Sequence, residues 1–243
     1  MRQIDDPKAA RAVLHDPNFV VPPVPAGAAG IGWLRATVGR FSTGEAYARR
    51  RALSVAVLAG IAPESLRVAA GEHPVAALAR AMGVERSVGD RPAVDSSVGG
   101  RSVGDQCVVE LVRAVAQAYR PGTGDDARAD AAVERLVALL GGGHDESTAA
   151  RIGVLVQACD ATAVLVDRAR HRPVEEVLRD DPPVPATLRR ALAATTVGGV
   201  TVAAGETIRV RLAGDLAFGA GPRRCPGRAH ALALTRGPTG AAD

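Results

Sequence analysis

Residues 218–227 read Phe-Gly-Ala-Gly-Pro-Arg-Arg-Cys-Pro-Gly. Three glycines and two prolines surround the one cysteine of this stretch, and an alanine- and leucine-rich helical pattern follows it. The stretch predicts a rigid loop that presents a thiol, since backbone N–H groups, a helix N-terminus and adjacent arginines all favour the thiolate. A dinucleotide-binding glycine fingerprint is excluded, because Arg224 stands where its third glycine would fall.

This decapeptide resembles the haem-binding loop of the cytochrome P450 family, the haem-thiolate monooxygenases. The family spacing is matched by Phe218, Gly221, Arg223, Cys225 and Gly227, and Gly219 follows the phenylalanine. The resemblance implies that these residues line haem b (iron protoporphyrin IX) and that Cys225 is the axial ligand of its iron. An axial thiolate pushes electron density onto iron and favours O–O cleavage. On the residues alone, the alternative is an inert loop cysteine.

Two further segments resemble the family's haem-propionate contacts. Pro182-Pro183-Val184 followed by Arg189 resembles the segment whose arginine reaches one propionate. Tyr47 and Arg51 resemble the early helical pair that holds the other propionate, with tyrosine in place of the usual histidine. Charge-assisted arginine contacts suit carboxylates, and the resemblance implies them for Arg223 as well. The alternative for Tyr47 is a packing role.

Glu176 and Arg179 resemble the family's ExxR pair. The resemblance implies that they are buried and structural, supporting the surroundings of the haem loop without contacting substrate. In a protein of no known family, the same spacing would indicate a surface pair worth a few tenths of a kcal/mol.

Gln157 to Thr162 resembles the centre of the family's long distal helix, where an acid and the threonine after it relay protons. The resemblance implies catalytic roles for Asp160 and Thr162. Ala161 occupies the position of the hydroxyl, however, and one residue rotates the direction of a side chain by about 100°. The alternative is that Thr162 bonds back to a carbonyl of the preceding turn.

Helical spacing, capping residues and turn signals predict a mainly α fold with one small β-hairpin region. Residues 83–106, rich in Gly, Ser and Asp, are predicted as a surface loop within a single domain covering 1–243. The resemblance implies a shortened cytochrome P450-like fold that lacks a helix before Glu176 and the meander before the haem loop. The predicted helices cover 43–59, 107–119, 125–140, 148–170 and 174–179, and the predicted hairpin joins 195–202 to 207–212 through a turn at 203–205.

Composition excludes several functional classes. The net charge is only +4, and no basic run is interleaved with aromatics, which argues against a nucleic-acid partner. The three cysteines, Cys107, Cys159 and Cys225, lack CxxC spacing, which argues against a disulfide framework or zinc site. We expect Cys107 and Cys159 to be structural, and His230 to lie at the surface or in packing. No signal peptide and no apolar run of about 18 residues is recognised, so we expect a cytoplasmic protein without membrane contact.

The resemblance implies a monooxygenase that inserts oxygen from O₂ into a small apolar or secondary-metabolite substrate. Electrons would come from NAD(P)H through a ferredoxin reductase and a separate ferredoxin. Three alternatives stay open. One is a haem-thiolate protein without the usual O₂ activation, either peroxygenase-like or non-redox. Another is an inactive haem-binding or haem-free remnant. The last is a DNA-binding helix-turn-helix at 126–170, which leaves residues 218–227 unexplained.

Overall fold

Helices dominate the part of the chain that the structure describes. The structure is a computed structural model that describes residues 1–69, 71–84 and 103–236, with residues 103–107 described by their backbone only. The predicted mainly α fold with a small β region is confirmed. The helices are α1 Pro7–His15, α2 Gly30–Thr37, α3 Gly44–Ala59, α4 Pro74–Ala81, α5 Val103–Ala118, α6 Asp126–Leu139, α7 Glu146–Ala169, α8 Val174–Asp180 and α9 Arg228–Leu234.

The predicted loop at 83–106 is wrong at its C-terminal end. Helix α5 begins at Val103, four residues before the predicted start at Cys107. Gly104 gives this segment the composition of a loop, but a 16-residue helix tolerates one glycine at a cost of about 1 kcal/mol. The rest of the predicted loop, residues 85–102, lies outside the described residues.

The chain divides into two compact units. The first comprises Met1–Pro23 and Val164–Arg228, and the second comprises Val24–Ala163 and Ala229–Asp243. The division falls within α7 and within α9. The expectation of one domain over residues 1–243 stays a prediction.

A four-stranded sheet forms the centre of the first unit. Its strand order is β1-β6-β3-β2, where β6 pairs in parallel with β1 and antiparallel with β3. Buried apolar side chains of α1, β1 and β6 pack together, among them Ile4, Val13, Leu14, Ile208 and Val210. The strands are β1 Gln3–Ile4, β2 Phe19–Val20, β3 Ala186–Ala191, β4 Thr195–Val197, β5 Val200–Val202 and β6 Thr207–Arg211.

The predicted hairpin has a different pairing. Its first half is itself a hairpin, because Gly198 and Gly199 take φ of 55° and 76° and turn β4 back onto β5. Strand β6 instead pairs with β3, which the sequence did not predict. Two of the three buried positions of β3 hold the polar residues Thr187 and Arg189, so the apolar alternation that marks a strand is broken.

Helix α7 is the longest described helix and contributes to the core of the second unit. Ile152, Leu155 and Cys159 on this helix are completely buried. With 24 residues, α7 is long and apolar enough to cross a membrane, so the expectation that no segment reaches this length is wrong. Most of its charged groups lie toward its two ends and leave an 18-residue apolar window, 61% of which is buried. Such burial is typical of a core helix.

Two arginines of α3 hold the first residue of α7. Arg49 donates to both carboxylate oxygens of Glu146 at 2.7 and 2.8 Å, and Arg50 Nε donates at 2.8 Å. These hydrogen bonds lower the pKa of Glu146 to about 2. Arg50 also donates to the Ala36 carbonyl and the Ser42 hydroxyl, at 2.6 Å each. The cluster fixes the α3–α7 junction within the second unit.

We expect Glu146→Gln to remove part of the acid sensitivity of the fold. A carboxyl whose folded pKa is depressed stabilises the protein above its unfolded pKa, here 4.5. That contribution is lost as the pH falls from 4.5 toward about 2. Because the Glu146 side chain is 26% exposed, solvent screening limits the contribution to about 1–2 kcal/mol. Urea unfolding at about pH 6 and about pH 3 measures it. Equal losses in parent and variant would contradict the linkage.

Candidate functional site

Cys225 ends a short loop that is closed by its own backbone. The Cys225 N–H donates to the Phe218 carbonyl at 2.8 Å. Gly219 and Gly221 take φ of 71° and 64° within this loop, a conformation that favours glycine. Pro226 and Gly227 then lead directly into α9. The sequence motif is therefore a sharply turned loop that places a cysteine three residues before the first residue of a helix.

Gly221 also allows a close approach between this loop and α1. A Cβ atom at Gly221 would lie 2.5 Å from the Leu14 carbonyl oxygen and 3.3 Å from the His15 Cα. Both neighbours are backbone atoms, which cannot move aside as a flexible side chain can. The loop is therefore seated on the C-terminal end of α1 within the first unit.

The two cysteines with described side chains differ in access. Cys225 is exposed, whereas Cys159 is completely buried, and burial raises the pKa of the Cys159 thiol to about 12. A thiolate is the form that ligates a metal, so Cys225 is the better candidate ligand. The structural role expected for Cys159 agrees with its burial. The Cys107 side chain lies outside the described residues.

A contact at the base of the loop was not predicted. The Arg228 guanidinium lies 5.6 Å from the centre of the Phe218 ring, which is cation–π range. The two residues are ten positions apart, and neither a helix nor a strand period relates them. No pattern in the sequence therefore indicates that Arg228 and Phe218 are in contact.

Two of the predicted propionate contacts share the first unit with Cys225. Arg189 on β3 is only 5% exposed, and its Nη1 donates to the Thr187 hydroxyl at 2.9 Å and to the Leu188 carbonyl at 2.8 Å. Arg223 is half-buried and ends the short helical turn Gly221–Arg223. Their roles toward a carboxylate ligand stay predictions.

The expected burial of the ExxR-like pair is wrong. The Arg179 side chain is 63% exposed, and its Nε donates to Asp180 Oδ1 at 3.0 Å. Across the described part of the chain, no ion pair joins Arg179 to Glu176. An aspartate next in sequence supplies the counter-charge without any burial cost. The structural role of both residues stays a prediction.

Tyr47 and Arg51 lie on α3 in the second unit. They are four residues apart, so they share one face of the helix, and both are half-buried. The neighbouring Arg49 and Arg50 are engaged by Glu146. The roles of Tyr47 and Arg51 toward a carboxylate ligand stay predictions.

The two predicted proton-relay residues differ in their surroundings. Asp160 is exposed on α7, whereas Thr162 is only 5% exposed. Two residues on a helix are about 200° apart, which agrees with this difference. The alternative bond from the Thr162 hydroxyl to the preceding turn is absent among the described residues. The structure does not bring these two groups to one face of α7.

The donors present fit a haem with an axial thiolate. No three His, Cys, Asp or Glu side chains cluster into a metal site within residues 1–69, 71–84 and 108–236. An iron bound through Cys225 would therefore need its other ligands from outside the protein, and a porphyrin supplies four nitrogens. The exposed thiol on a rigid loop and the buried Arg189 suit an iron ligand and a carboxylate contact.

Comparison with known proteins identifies the fold. No protein-family model and no curated protein sequence matches the chain. Among solved structures, P450BioI in complex with hexadec-9Z-enoic acid ligated acyl carrier protein matches with a TM-score of 0.65, 16% identity and coverage of 96% of this chain and 82% of that one. Epothilone D-bound cytochrome P450epoK matches with a TM-score of 0.65, 15% identity and coverage of 96% and 81%. Mycobacterium smegmatis CYP164A2 matches with a TM-score of 0.59, 18% identity and coverage of 93% and 79%.

These similarities extend over nearly the whole chain. The loop that ends at Cys225 also has the sharp turn that its sequence motif predicts. At such low identity they establish the architecture, not the reaction. The chain has the cytochrome P450 fold, in a shortened form of 243 residues.

Proposed function

We propose that this protein is a haem-dependent monooxygenase in which Cys225 is the axial thiolate ligand. The observation that supports this most directly is the exposed Cys225 on a loop closed by the 2.8 Å bond to Phe218. When bound, the haem supplies the redox chemistry for inserting one oxygen atom from O₂ into a substrate. The chain's own part is to hold the cofactor, exclude water and provide protons.

Four side chains are proposed to hold the haem propionates. The proposed contacts are Arg223, Arg189, Arg51 and Tyr47. A hydrogen bond to a charged group is worth about 1.5–3 kcal/mol, so several such contacts would add substantially to cofactor affinity. The burial of Arg189 supports this assignment, because a buried guanidinium gains most from a carboxylate.

The proposed substrate is a small apolar or secondary-metabolite molecule. Hexadec-9Z-enoic acid is held by the carrier protein bound to P450BioI, and epothilone D is bound by P450epoK, so apolar ligands occur among proteins of this fold. Electrons are proposed to come from NAD(P)H through a ferredoxin reductase and a ferredoxin in the cytoplasm. The acyl carrier protein of the P450BioI complex supports protein docking on this fold only in general.

The experiment that tests this function is the absorption spectrum of the purified protein, reduced and exposed to carbon monoxide. A thiolate-ligated haem gives the red-shifted Soret band for which the family is named. Its appearance would support haem and thiolate ligation together. A protein that does not take up haem, or that gives an unshifted band, would refute the proposal.

A second candidate is a peroxygenase-like haem-thiolate enzyme. It is favoured by the separation of Asp160 and Thr162 on α7, and by Ala161 at the position where the family has its hydroxyl. Without a hydroxyl next to it, Asp160 would deliver protons slowly, and reducing equivalents would then be lost as hydrogen peroxide. Hydrogen peroxide supplied directly brings its own protons and electrons.

We expect Ala161→Thr to raise the ratio of product formed to NADPH consumed. A positioned proton donor contributes about 10²–10⁴-fold to a rate, so the ratio should rise toward its limit of one product per NADPH. The measurement uses a surrogate ferredoxin system and any accepted substrate, with released peroxide quantified alongside. In the parent, added peroxide should support more turnover than O₂ and NADPH do. If the parent already converts most of its NADPH into product, and this is unchanged in Ala161→Thr but lost in Thr162→Ala, then Thr162 is the relay residue.

A further inference from the structure

His230 forms a buried contact that its expected surface or packing role does not explain. It lies on α9 and is only 9% exposed. Its Nε2 lies 3.0 Å from the Leu58 carbonyl oxygen and 2.9 Å from the Ile61 carbonyl oxygen. Because both partners can only accept, Nε2 carries the proton and donates to both.

The two carbonyls belong to the C-terminal end of α3. Leu58 is in the last turn of that helix, and Ile61 lies two residues beyond the last helical residue, Ala59. The Leu58 carbonyl also accepts from the Ile61 N–H at 3.0 Å, so His230 is a second donor to that carbonyl and a side-chain donor to the Ile61 carbonyl. His230 Nδ1 is buried, and no described group bonds to it. The imidazole is therefore held through one nitrogen, and that nitrogen joins α9 to α3.

The position of α9 in the chain gives this contact its significance. Only Pro226 and Gly227 separate Cys225 from the first residue of α9, Arg228. Arg228 in turn lies against Phe218, the residue whose carbonyl accepts from the Cys225 N–H. Arg228 thus contacts the cysteine loop within the first unit, and His230, two residues later on the same helix, contacts the end of α3 within the second unit.

We propose that His230 is a positioning residue for the Cys225 ligand, acting by anchoring α9 to the end of α3. This inference rests on the proposed haem-thiolate function. Without the Nε2–H donor, the Leu58 and Ile61 carbonyls lose a buried partner, and α9 can shift together with the loop that precedes it. The consequence is a weaker hold on the thiolate ligand rather than a general loss of fold.

The test compares variants that differ in one donor atom. His230→Leu removes the donor. His230→Asn is a milder change whose amide nitrogen falls near the Nδ1 position, short of the carbonyls. His230→Gln places an amide nitrogen near the Nε2 position. We expect the His230→Leu and His230→Asn variants to lose most of the thiolate-type Soret band of the reduced carbon monoxide complex. The His230→Gln variant should keep it. Haem transfer to an apo-globin acceptor should be about tenfold faster for Leu than for the parent, as expected for one buried hydrogen bond.

A matched control separates positioning from stability. Asp126→Ala breaks the ion pair with the buried Arg35, 2.8 Å long, which joins α6 to α2 in the same unit. Unfolding of the haem-free chain measures the stability lost by each variant. If His230→Leu and Asp126→Ala are destabilised alike but only His230→Leu loses the thiolate band, the proposal holds. If both keep the band or both lose it equally, His230 is merely structural. Should His230→Leu not fold, the Asn and Gln pair decides in the same way. If the parent protein lacks the thiolate band, the proposed function is refuted. If the parent and the His230→Leu variant both show the band, only the positioning role of His230 is refuted.

Discussion

Replacing Cys225 with serine is expected to abolish the thiolate-type Soret band of the reduced carbon monoxide complex. A serine hydroxyl is far less acidic than a thiol and does not push electron density onto iron in the same way. The loop should still form, because its closing bond uses the backbone N–H of residue 225 and the Phe218 carbonyl, 2.8 Å apart. The variant should therefore fold, and any haem that it retains should give an unshifted band.

Cys159→Ala is the control for this result. Cys159 is completely buried in α7, and burial raises the pKa of its thiol to about 12, so it is not expected to act as a ligand. The thiolate band should survive this change, although the small cavity left behind should cost about 1 kcal/mol of stability. A Cys225→Ser protein that keeps the thiolate band, or a Cys159→Ala protein that loses it, would remove the basis of the proposed function.

The features that the sequence predicted correctly depend on short stretches of chain. The loop at 218–227 combines glycines that permit positive φ with a helix pattern directly after it, and both are local properties. The predicted helix at 43–59 is α3, which begins one residue later at Gly44. Helical spacing and an acidic first turn at Glu45 predict this element without reference to the rest of the fold, although the Thr43 side chain makes no capping hydrogen bond.

The features that it missed depend on partners far away in sequence. Strand β3 is recognisable only through its pairing with β6, because two of its three buried positions hold Thr187 and Arg189 and the third holds only the small side chain of Ala191. The exposure of Arg179 follows from Asp180, a nearer carboxylate than the expected Glu176. The His230 contact spans 169 to 172 residues of chain, and no local pattern marks it. The candidate iron ligand could therefore be predicted because its motif is one contiguous stretch of sequence. The contacts that surround it could not be predicted, because they join residues far apart in the chain.

The second large effect is expected at Gly221, where the cysteine loop lies close to the backbone of α1. Gly221→Ala would place a Cβ atom 2.5 Å from the Leu14 carbonyl oxygen, in a residue whose φ is 64°. A side chain at positive φ costs about 1–2 kcal/mol, and overpacking against fixed atoms typically adds about 1–3 kcal/mol. We therefore expect Gly221→Ala to lower the free energy of unfolding by about 2–5 kcal/mol. Because the strain falls within the cysteine loop, haem retention should drop as well.

Gly214→Ala separates the two costs, since it shares the backbone strain but not the contact. Gly214 lies in the same unit with φ of 55°, and a Cβ atom there would have nothing within 4 Å. This variant should lose only the cost of the positive φ, about 1–2 kcal/mol, and should keep the haem. Urea unfolding of the two haem-free variants against the parent, at one pH, measures the difference. Equal losses would mean that the seat of the loop on the Leu14 carbonyl does not constrain it. A larger loss for Gly221→Ala would show that the motif needs glycine at this position for the close approach of the loop to α1 as well as for its positive φ.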